Sequence, residues 1–150
     1  MSAALTIRLA TKPELDRIAQ IWDDSWRSTR VPSPETLSIS QLKDRLIEFV
    51  ASGAEIYAIE RARDLIGMMV LEPDDQKLSQ LFMAPAFQGQ GFGSECLTYV
   101  KSKLPGGFTL TVAEANHNAR AFYTAAGLIR EARIFRSDYS RYDLQFRWAP

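Results

Sequence analysis

The sequence predicts an α+β domain: a mixed, mostly antiparallel sheet of six to seven strands with about four helices. Three observations support this prediction. Period-two and helical apolar patterns follow one another in the order β-α-α-β-β-β-α-β-α-β-β. No repeat or linker-like stretch interrupts that order. The 150 residues, 46% hydrophobic and 24% charged, match the usual size and composition of one globular domain. We therefore expect a single domain over residues 1–150.

The first strand and the first helix are predicted near the start of the chain. Leu5, Ile7 and Leu9 alternate with polar residues, as in a half-buried strand. Thr11 and Glu14 then have capping-box spacing for a helix. The apolar stripe of this helix consists of Leu15, Ile18, Ala19, Trp22 and Trp26. We expect the stripe to pack on the sheet.

A second helix is predicted after a proline-containing loop over residues 29–38. Ser38 and Gln41 can cap this helix, and Gly53 ends it. The pattern then changes to period two. "EIYAIE" and "LIGMMVLE" are predicted strands joined by the polar turn "RARD", and "KLSQLFM" is the next strand.

The second half of the chain supplies the remaining elements. A short helical stripe follows "KLSQLFM" and ends at the Pro-Gly-Gly of residues 105–107. "FTLTV" reads as a strand. "NHNARAFYTAAG" is predicted to be a helix, with Asn116 as its N-cap and Gly127 as its stop. "LIREARIF" and "YDLQFRW" close the chain as an antiparallel pair of strands.

Charge and rare residues narrow the possible partners. Eighteen basic residues balance eighteen acidic ones, so a nucleic-acid partner is disfavoured. The one cysteine and the one histidine exclude an internal disulfide and a Cys/His metal site, and we expect no metal. No apolar run approaches the roughly 20 residues of a membrane span, and the start "MSAALTIRLA" is too short and polar for a signal peptide. We expect a cytoplasmic protein without a membrane partner.

Three glycines lie close together where the strand "KLSQLFM" gives way to a helix. Gly89, Gly91 and Gly93 sit in "QGQGFG", and Ser94 follows them. Such a turn directs several backbone N–H groups, and the positive end of a helix dipole, at one anion, typically a phosphate. The nucleotide-triphosphate loop requires a lysine that is missing here, and the dinucleotide fingerprint requires Gly-x-Gly-x-x-Gly. Both of these readings fail on spacing.

Two motifs resemble one family. "QGQGFG" is similar to the Q/R-x-x-G-x-G/A signature of the GNAT superfamily of acyl-CoA-dependent N-acetyltransferases, and "LFMAP" before it resembles the end of that family's fourth strand. "NHNARAFYTAAGL" resembles the family pattern N-x-x-A-x-x-F-Y-x-x-x-G-F, with Leu128 in place of the phenylalanine. The element order also matches, so the resemblance covers essentially the whole chain.

The resemblance implies a fold and a coenzyme site. Strands 4 and 5 should form a splayed parallel pair. The main chain of strand 4 should pair with the pantetheine arm of acetyl-CoA, the expected acyl donor, and its amides, Met83 above all, could polarise the thioester carbonyl. The glycine turn should hold the pyrophosphate. The coenzyme-binding residues implied are Leu81, Phe82, Met83, Gln88, Gly89, Gln90, Gly91, Phe92, Gly93, Ser94, Asn116, Ala119, Phe122 and Tyr123.

The resemblance also implies direct attack of an amine on the thioester, with Tyr123 protonating the departing thiolate. A free phenol near pKa 10 gives its proton to a thiolate near 8.5 at a cost of about 2 kcal/mol, so a lowered pKa or a water molecule must help. Strands 4 and 5 offer no carboxylate as general base. We expect a water relay, with Glu114 as the second choice.

The resemblance implies that the amine acceptor enters between the loop of residues 27–35 and the turn of residues 136–142. Trp26, Arg30 and Tyr139 are the expected contacts, and the nearby arginines could bind an acidic group on the acceptor. The acceptor is expected to be a primary amine of a small molecule, a peptide or a protein. A non-catalytic acyl-CoA sensor and a tRNA-directed acetylase are the rival functions. Family resemblance further suggests a homodimer formed through the late strands.

Overall fold

A computed structural model of the chain describes residues 4–32 and 37–150. The strands are β1 (Leu5–Leu9), β2 (Glu55–Arg61), β3 (Asp64–Glu72), β4 (Lys77–Met83), β5 (Phe108–Ala113), β6 (Ile129–Arg136) and β7 (Arg141–Trp148). The helices are α1 (Leu15–Ser28), α2 (Ile39–Ala51), α3 (Phe92–Lys103) and α4 (His117–Ala125). The predicted element order is confirmed. The predicted loop of residues 29–38 falls in part on residues 33–36, which lie outside the described residues.

All seven strands form one sheet in the order β1-β2-β3-β4-β5-β7-β6. Neighbouring strands are antiparallel except β4 and β5, which are parallel. The predicted mostly antiparallel sheet with a parallel fourth and fifth strand is therefore confirmed. This parallel pair lies in the middle of the sheet. Helices pack on both faces of the sheet there.

The predicted caps form at three helical segments. The capping box of Thr11 and Glu14 opens a 3-10 turn (Lys12–Glu14) that leads into α1, and Ser38 and Asn116 cap α2 and α4 directly. Glu14 Oε1 accepts a hydrogen bond from the backbone N–H of Thr11 at 2.8 Å. Ser38 Oγ accepts one from Gln41 N at 3.1 Å before α2, and Asn116 Oδ1 accepts one from Ala119 N at 3.3 Å before α4. Each bond satisfies a donor that a helix start would otherwise leave unpaired.

Two apolar cores lie on opposite faces of the sheet. On one face, α3 and α4 pack over the middle strands through buried side chains that include Cys96, Leu97 and Tyr123. On the other face, α1 and α2 pack through Ile18, Trp22 and Leu46, among others. Phe82 and Leu81, neighbours on β4, contribute to different cores because successive strand residues point to opposite faces. Within residues 4–32 and 37–150, no helix is long and apolar enough to cross a membrane.

Candidate active site

The parallel strands β4 and β5 separate soon after they start. Within the described chain they share one registered pair, Lys77 with Thr109. A bulge in β4 accompanies the separation: Val70 pairs with Gln80, but Leu71 pairs with Leu78, which leaves one extra residue on β4 between them. A bulge bends its strand and increases its twist. The ends of β4 and β5 consequently leave a gap in the middle of the sheet.

The main chain of β4 presents donors to this gap. Ala84 N donates to Ile66 O at 2.7 Å, so these two residues form a hydrogen-bonded pair of the antiparallel ladder between β3 and β4. Such pairs alternate with pairs whose N–H and C=O groups point away from the partner strand. Met83, opposite Gly67, and Leu81, opposite Met69, occupy the alternate positions. Their N–H groups therefore face the gap, which no strand fills.

The carbonyl oxygen of Met83 is fixed from two directions. Ser25 on α1 donates its hydroxyl to this oxygen at 2.6 Å, and Gln88 donates Nε2 to the same oxygen at 3.0 Å. Ser25 is 1% exposed. These bonds fix the peptide group that follows Met83 and so limit movement of the main chain at the end of β4.

A cavity of about 530 Å³ occupies the gap and reaches both faces of the sheet. Ala119 and Tyr123 of α4 line it from one face, and Trp22 and Leu42 from the other. Seven of the residues that the sequence analysis proposes for the site line this cavity: Trp26, Leu81, Phe82, Asn116, Ala119, Tyr123 and Tyr139. The cavity thus passes between β4 and β5, and we call it the slot.

Tyr123 lies in the wall of the slot, on the α3/α4 face. It is 7% exposed, with its ring 5.0 Å from that of Phe122 and 6.3 Å from that of Phe146. Burial raises the pKa of Tyr123 well above its ordinary value, and repulsion from the Cys96 thiolate would add to this. The phenol therefore keeps its proton at neutral pH. A phenol with a raised pKa gives up its proton less readily, so this environment favours the route in which water shares the task.

The glycine turn leads from β4 into α3, and its backbone N–H groups are available to bind a ligand. Gly89 and Gly91 have φ values of 71° and 85°, in the left-handed region that favours glycine. The backbone N–H groups from Gly89 to Ser94 have no hydrogen-bond partner among the described residues. A Cβ on Gly93 would lie 3.0 Å from the Phe122 ring. The first two glycines thus shape the turn, and the third allows α3 and α4 to pack closely.

Glu114 does not line the slot. It forms a two-pronged ion pair with Arg133, whose Nε and Nη2 donate to the carboxylate at 2.6 Å and 2.9 Å. The hydrogen bonds from Arg133 lower the pKa of Glu114. A carboxylate with a lowered pKa is a weaker proton acceptor, so this environment does not favour Glu114 as a general base.

The residues expected on the acceptor side are only partly brought together. The ring of Trp26 lies under the guanidinium of Arg141 at 5.0 Å, and the Tyr139 ring lies 4.7 Å from the same guanidinium. Arg30 is exposed, with φ at 57°, and lies outside the residues lining the slot. The proposed entry loop of residues 27–35 includes residues 33–35, which are outside the described part of the chain.

Asp143 and Arg45 are among the charged residues of the slot lining that the sequence analysis passed over. Asp143 on β7 is 3% exposed and pairs with Arg141 Nε at 3.0 Å and with Arg136 Nη1 at 3.5 Å. Arg45 on α2 donates Nη1 to the hydroxyl of Tyr139 at 3.0 Å. Asp143, Gln145 and Arg147 alternate with apolar residues along β7, which was a signal of a polar strand face. Of these three, Asp143 lines the slot. No comparable signal marks Arg45 on its helix.

Solved structures share this architecture. An acetyltransferase from Thermus thermophilus superposes with a TM-score of 0.79 at 16% identity, over 100% of both chains. Spermidine N-acetyltransferase from Vibrio cholerae, in complex with CoA and spermine, has a TM-score of 0.70 at 20% identity, over 97% of this chain and 95% of that one. Apo YjaB from Escherichia coli has a TM-score of 0.71 at 25% identity, over 97% of each. No curated protein sequence matches the chain significantly.

A protein-family model gives the assignment. The model of the acetyltransferase (GNAT) family matches residues 15–128, a span that includes α1, the slot-lining strands β4 and β5, the glycine turn and α4. This match confirms the resemblance inferred from the two sequence motifs. The chain therefore belongs to the GNAT family of acetyltransferases, and it is an acyltransferase whose acyl donor is acetyl-CoA.

Proposed function

We propose that the protein is an N-acetyltransferase that moves the acetyl group of acetyl-CoA to a primary amine by direct attack within the slot. The acceptor is an amine of a small molecule, a peptide or a protein. The observation that carries the proposal is the open edge of β4, where the N–H groups of Leu81 and Met83 face the gap beside Tyr123. Spermidine N-acetyltransferase, of the same fold, acts on an amine by its name.

The residues present fit an acyl-CoA. The free N–H groups on the edge of β4 can pair with the amide-bearing pantetheine arm as a neighbouring strand would. The unpartnered N–H groups from Gly89 to Ser94 stand at the start of α3, where backbone donors and the helix dipole favour a pyrophosphate. When bound, the coenzyme supplies an activated acetyl thioester.

Three tasks fall to the chain itself. The N–H of Met83, held in place through the bonds that Ser25 and Gln88 make to its carbonyl, stabilises the negative charge that develops on the thioester oxygen. One such donor is typically worth about 3 kcal/mol. Tyr123 donates a hydrogen bond to the sulfur. Burial raises its pKa, which makes the phenol a weaker acid. The thiolate therefore receives its proton through water.

The proton lost by the amine also leaves through water. Asp143, the buried carboxylate of the slot, is already occupied by ion pairs with Arg136 and Arg141. A lysine-like amine gives up its proton at a cost of roughly 4–5 kcal/mol at neutral pH, whereas an α-amine loses its own for about 1 kcal/mol. A water relay therefore suits an amine of low pKa better.

The test is an assay of thiol release from acetyl-CoA with a panel of amines, run on the wild type and on Tyr123→Phe. We expect turnover with at least one amine and a drop in kcat of about tenfold or more in the variant, the size of one lost hydrogen bond to a charged atom, with an unchanged Kd for coenzyme A. Tight coenzyme binding without turnover on any amine would support the sensor function instead. A near-normal kcat in Tyr123→Phe would remove Tyr123 from the mechanism.

A further inference from the structure

The slot carries an excess of positive charge on its α1/α2 face. Among the described residues, its lining includes five basic side chains and three acidic ones. Asp23 pairs with Arg27 at 2.9 Å, and Glu72 pairs with Lys77 at 3.7 Å. The third carboxylate, Asp143, is shared by Arg136 and Arg141 at 3.5 Å and 3.0 Å. Arg136 also pairs with Asp138, which lies outside the lining, at 3.2 Å. Four of the five cations are therefore matched by four carboxylates.

Arg45 is the cation of the slot lining that has no carboxylate partner in the described part of the chain. Its Nη1 donates to the Tyr139 hydroxyl at 3.0 Å, and within residues 4–32 and 37–150 no carboxylate lies within 4 Å of its guanidinium nitrogens. None of the ion pairs among those residues includes Arg45. Arg45 is half-buried in the wall of the slot. A guanidinium that is partly removed from water and has no counter-charge favours an anion beside it.

The surroundings of Arg45 hold it in place. Tyr139 accepts the Arg45 hydrogen bond at its hydroxyl, while its ring faces the guanidinium of Arg141 at 4.7 Å. Arg141 is fixed in turn by Trp26 at 5.0 Å and by Asp143. This chain of contacts ties α2 to the β6–β7 turn across the slot. An arginine held this way loses little side-chain entropy when a ligand binds, and its planar fork matches a carboxylate.

We infer that the acceptor is an amine that also carries a carboxylate, and that Arg45 binds this carboxylate on the α1/α2 side of the slot. A single uncompensated cation matches one negative charge, which favours a carboxylate over a phosphate dianion. A polyamine would place positive charge next to Arg45, which repels it. The carboxylates of the slot lining are already ion-paired and so offer it no compensating contact. The inference rests on the proposed N-acetyltransferase function and names its substrate class.

The experiment compares amino acids and short peptides, each as the free acid and as the C-terminal carboxamide, with spermidine as a polyamine and phosphoethanolamine as a phosphate-bearing amine. Initial rates of thiol release give kcat/KM for each. For the best acceptor pair we expect the acid to exceed its carboxamide by about tenfold or more, the size of one charge-assisted hydrogen bond. We expect spermidine and phosphoethanolamine to be poorer than the acid.

Variants assign the preference to Arg45. In Arg45→Met the ratio of acid to carboxamide should fall to near one, and in Arg45→Lys it should fall to an intermediate value because the fork geometry is lost. Arg17→Met, at an exposed position of α1 outside the slot lining, is the matched control and should keep the wild-type ratio. Quenching of tryptophan fluorescence on adding the acid to the coenzyme A complex gives a binding constant that does not depend on turnover.

Each outcome decides one question. Turnover with equal rates for acids and carboxamides, a preference for spermidine or phosphoethanolamine, or an unchanged ratio in Arg45→Met would overturn the inference and leave the N-acetyltransferase function intact. Thiol release with none of the amines would instead overturn the proposed function, and the inference with it.

Discussion

Ser25 and Met83 are joined by a hydrogen bond of 2.6 Å from the serine hydroxyl to the methionine carbonyl oxygen. The bond links α1 to the end of β4, and it lies in the interior, since Ser25 is 1% exposed. It ties a helix of one core to the strand edge that faces the slot. Neither residue is charged, but the bond holds the main chain that we propose to contact the thioester.

Ser25→Ala tests this link. Removing the hydroxyl should lower the free energy of unfolding by about 1 kcal/mol, because Gln88 still bonds the Met83 carbonyl. It should also raise the KM for acetyl-CoA several-fold, since the edge of β4 that we propose to pair with the pantetheine arm is less firmly held. Urea unfolding and initial-rate kinetics measure the two effects. Ser52→Ala, at an exposed serine that bonds Phe49 O, serves as control. A KM for acetyl-CoA that stays at the wild-type value would show that the bond is only structural.

Gly91→Val tests the glycine turn. Gly91 has φ at 85° and open space around its missing side chain, so the substitution should cost roughly 1–3 kcal/mol of backbone strain without a clash. We expect it to reduce acetyl-CoA affinity by more than tenfold, because the free N–H groups around residue 91 are redirected. Isothermal titration calorimetry measures that affinity. Gly53→Val, at φ 93° with equally open space, carries similar strain away from the slot. Equal losses of affinity in both variants would mean that strain, and not the turn, is responsible.

Glu114→Gln tests the choice of proton acceptor. Because the pKa of Glu114 is lowered by its bonds to Arg133, we expect kcat/KM to fall by no more than a few-fold. The pH profile of kcat/KM for the variant should still show the decrease at acidic pH that the wild type shows. Arg133→Met, which removes the partner of the same ion pair, separates loss of the pair from loss of the carboxylate. A fall of about 10²-fold in Glu114→Gln alone would make Glu114 the base.

The stability of the fold should fall in alkaline solution. Burial raises the pKa of both Tyr57 and Tyr123 above their ordinary value of 10.0. Between that value and their higher folded values, the unfolded chain loses protons that the folded chain keeps. The free energy of unfolding should therefore decrease as the pH rises above about 10.

Urea unfolding at about pH 9 and about pH 11 measures this loss. In Tyr123→Phe the loss should be smaller, because Tyr123 no longer contributes a proton, whereas Tyr57 and Cys96, whose pKa burial also raises, still do. Tyr142→Phe, at an exposed position, should behave as the wild type does. A loss in Tyr123→Phe as large as in the wild type would show that Tyr123 ionises normally in the folded protein.

Local patterns were sufficient to predict the elements of this fold. Alternation in "KLSQLFM" predicted β4 at the residues it occupies, Lys77–Met83, and the Asn116 cap gave the start of α4. These features depend on contacts between residues a few positions apart, which a sequence displays directly. The two family motifs then predicted the parallel pairing of β4 and β5, which local pattern alone does not specify.

The acceptor side depends on contacts that the sequence does not display. Arg45 and Tyr139 are 94 positions apart, yet they share a hydrogen bond. On α2, Arg45 has the pattern of an ordinary surface helix cation. Its neighbours are set by how α2 packs on the sheet and where the β6–β7 turn ends. Asp143 was missed because the search for a carboxylate covered strands 4 and 5, whereas β7 pairs with β5 and places Asp143 opposite Ala113.

The gap between β4 and β5 has a kinetic consequence. A passage open to both faces of a sheet gives two ligands separate routes to one meeting point. With acetyl-CoA on the α3/α4 side and the acceptor on the α1/α2 side, neither molecule obstructs the arrival of the other. Substrates can then load in either sequence, and a dead-end analogue of one should be a noncompetitive inhibitor with respect to the other.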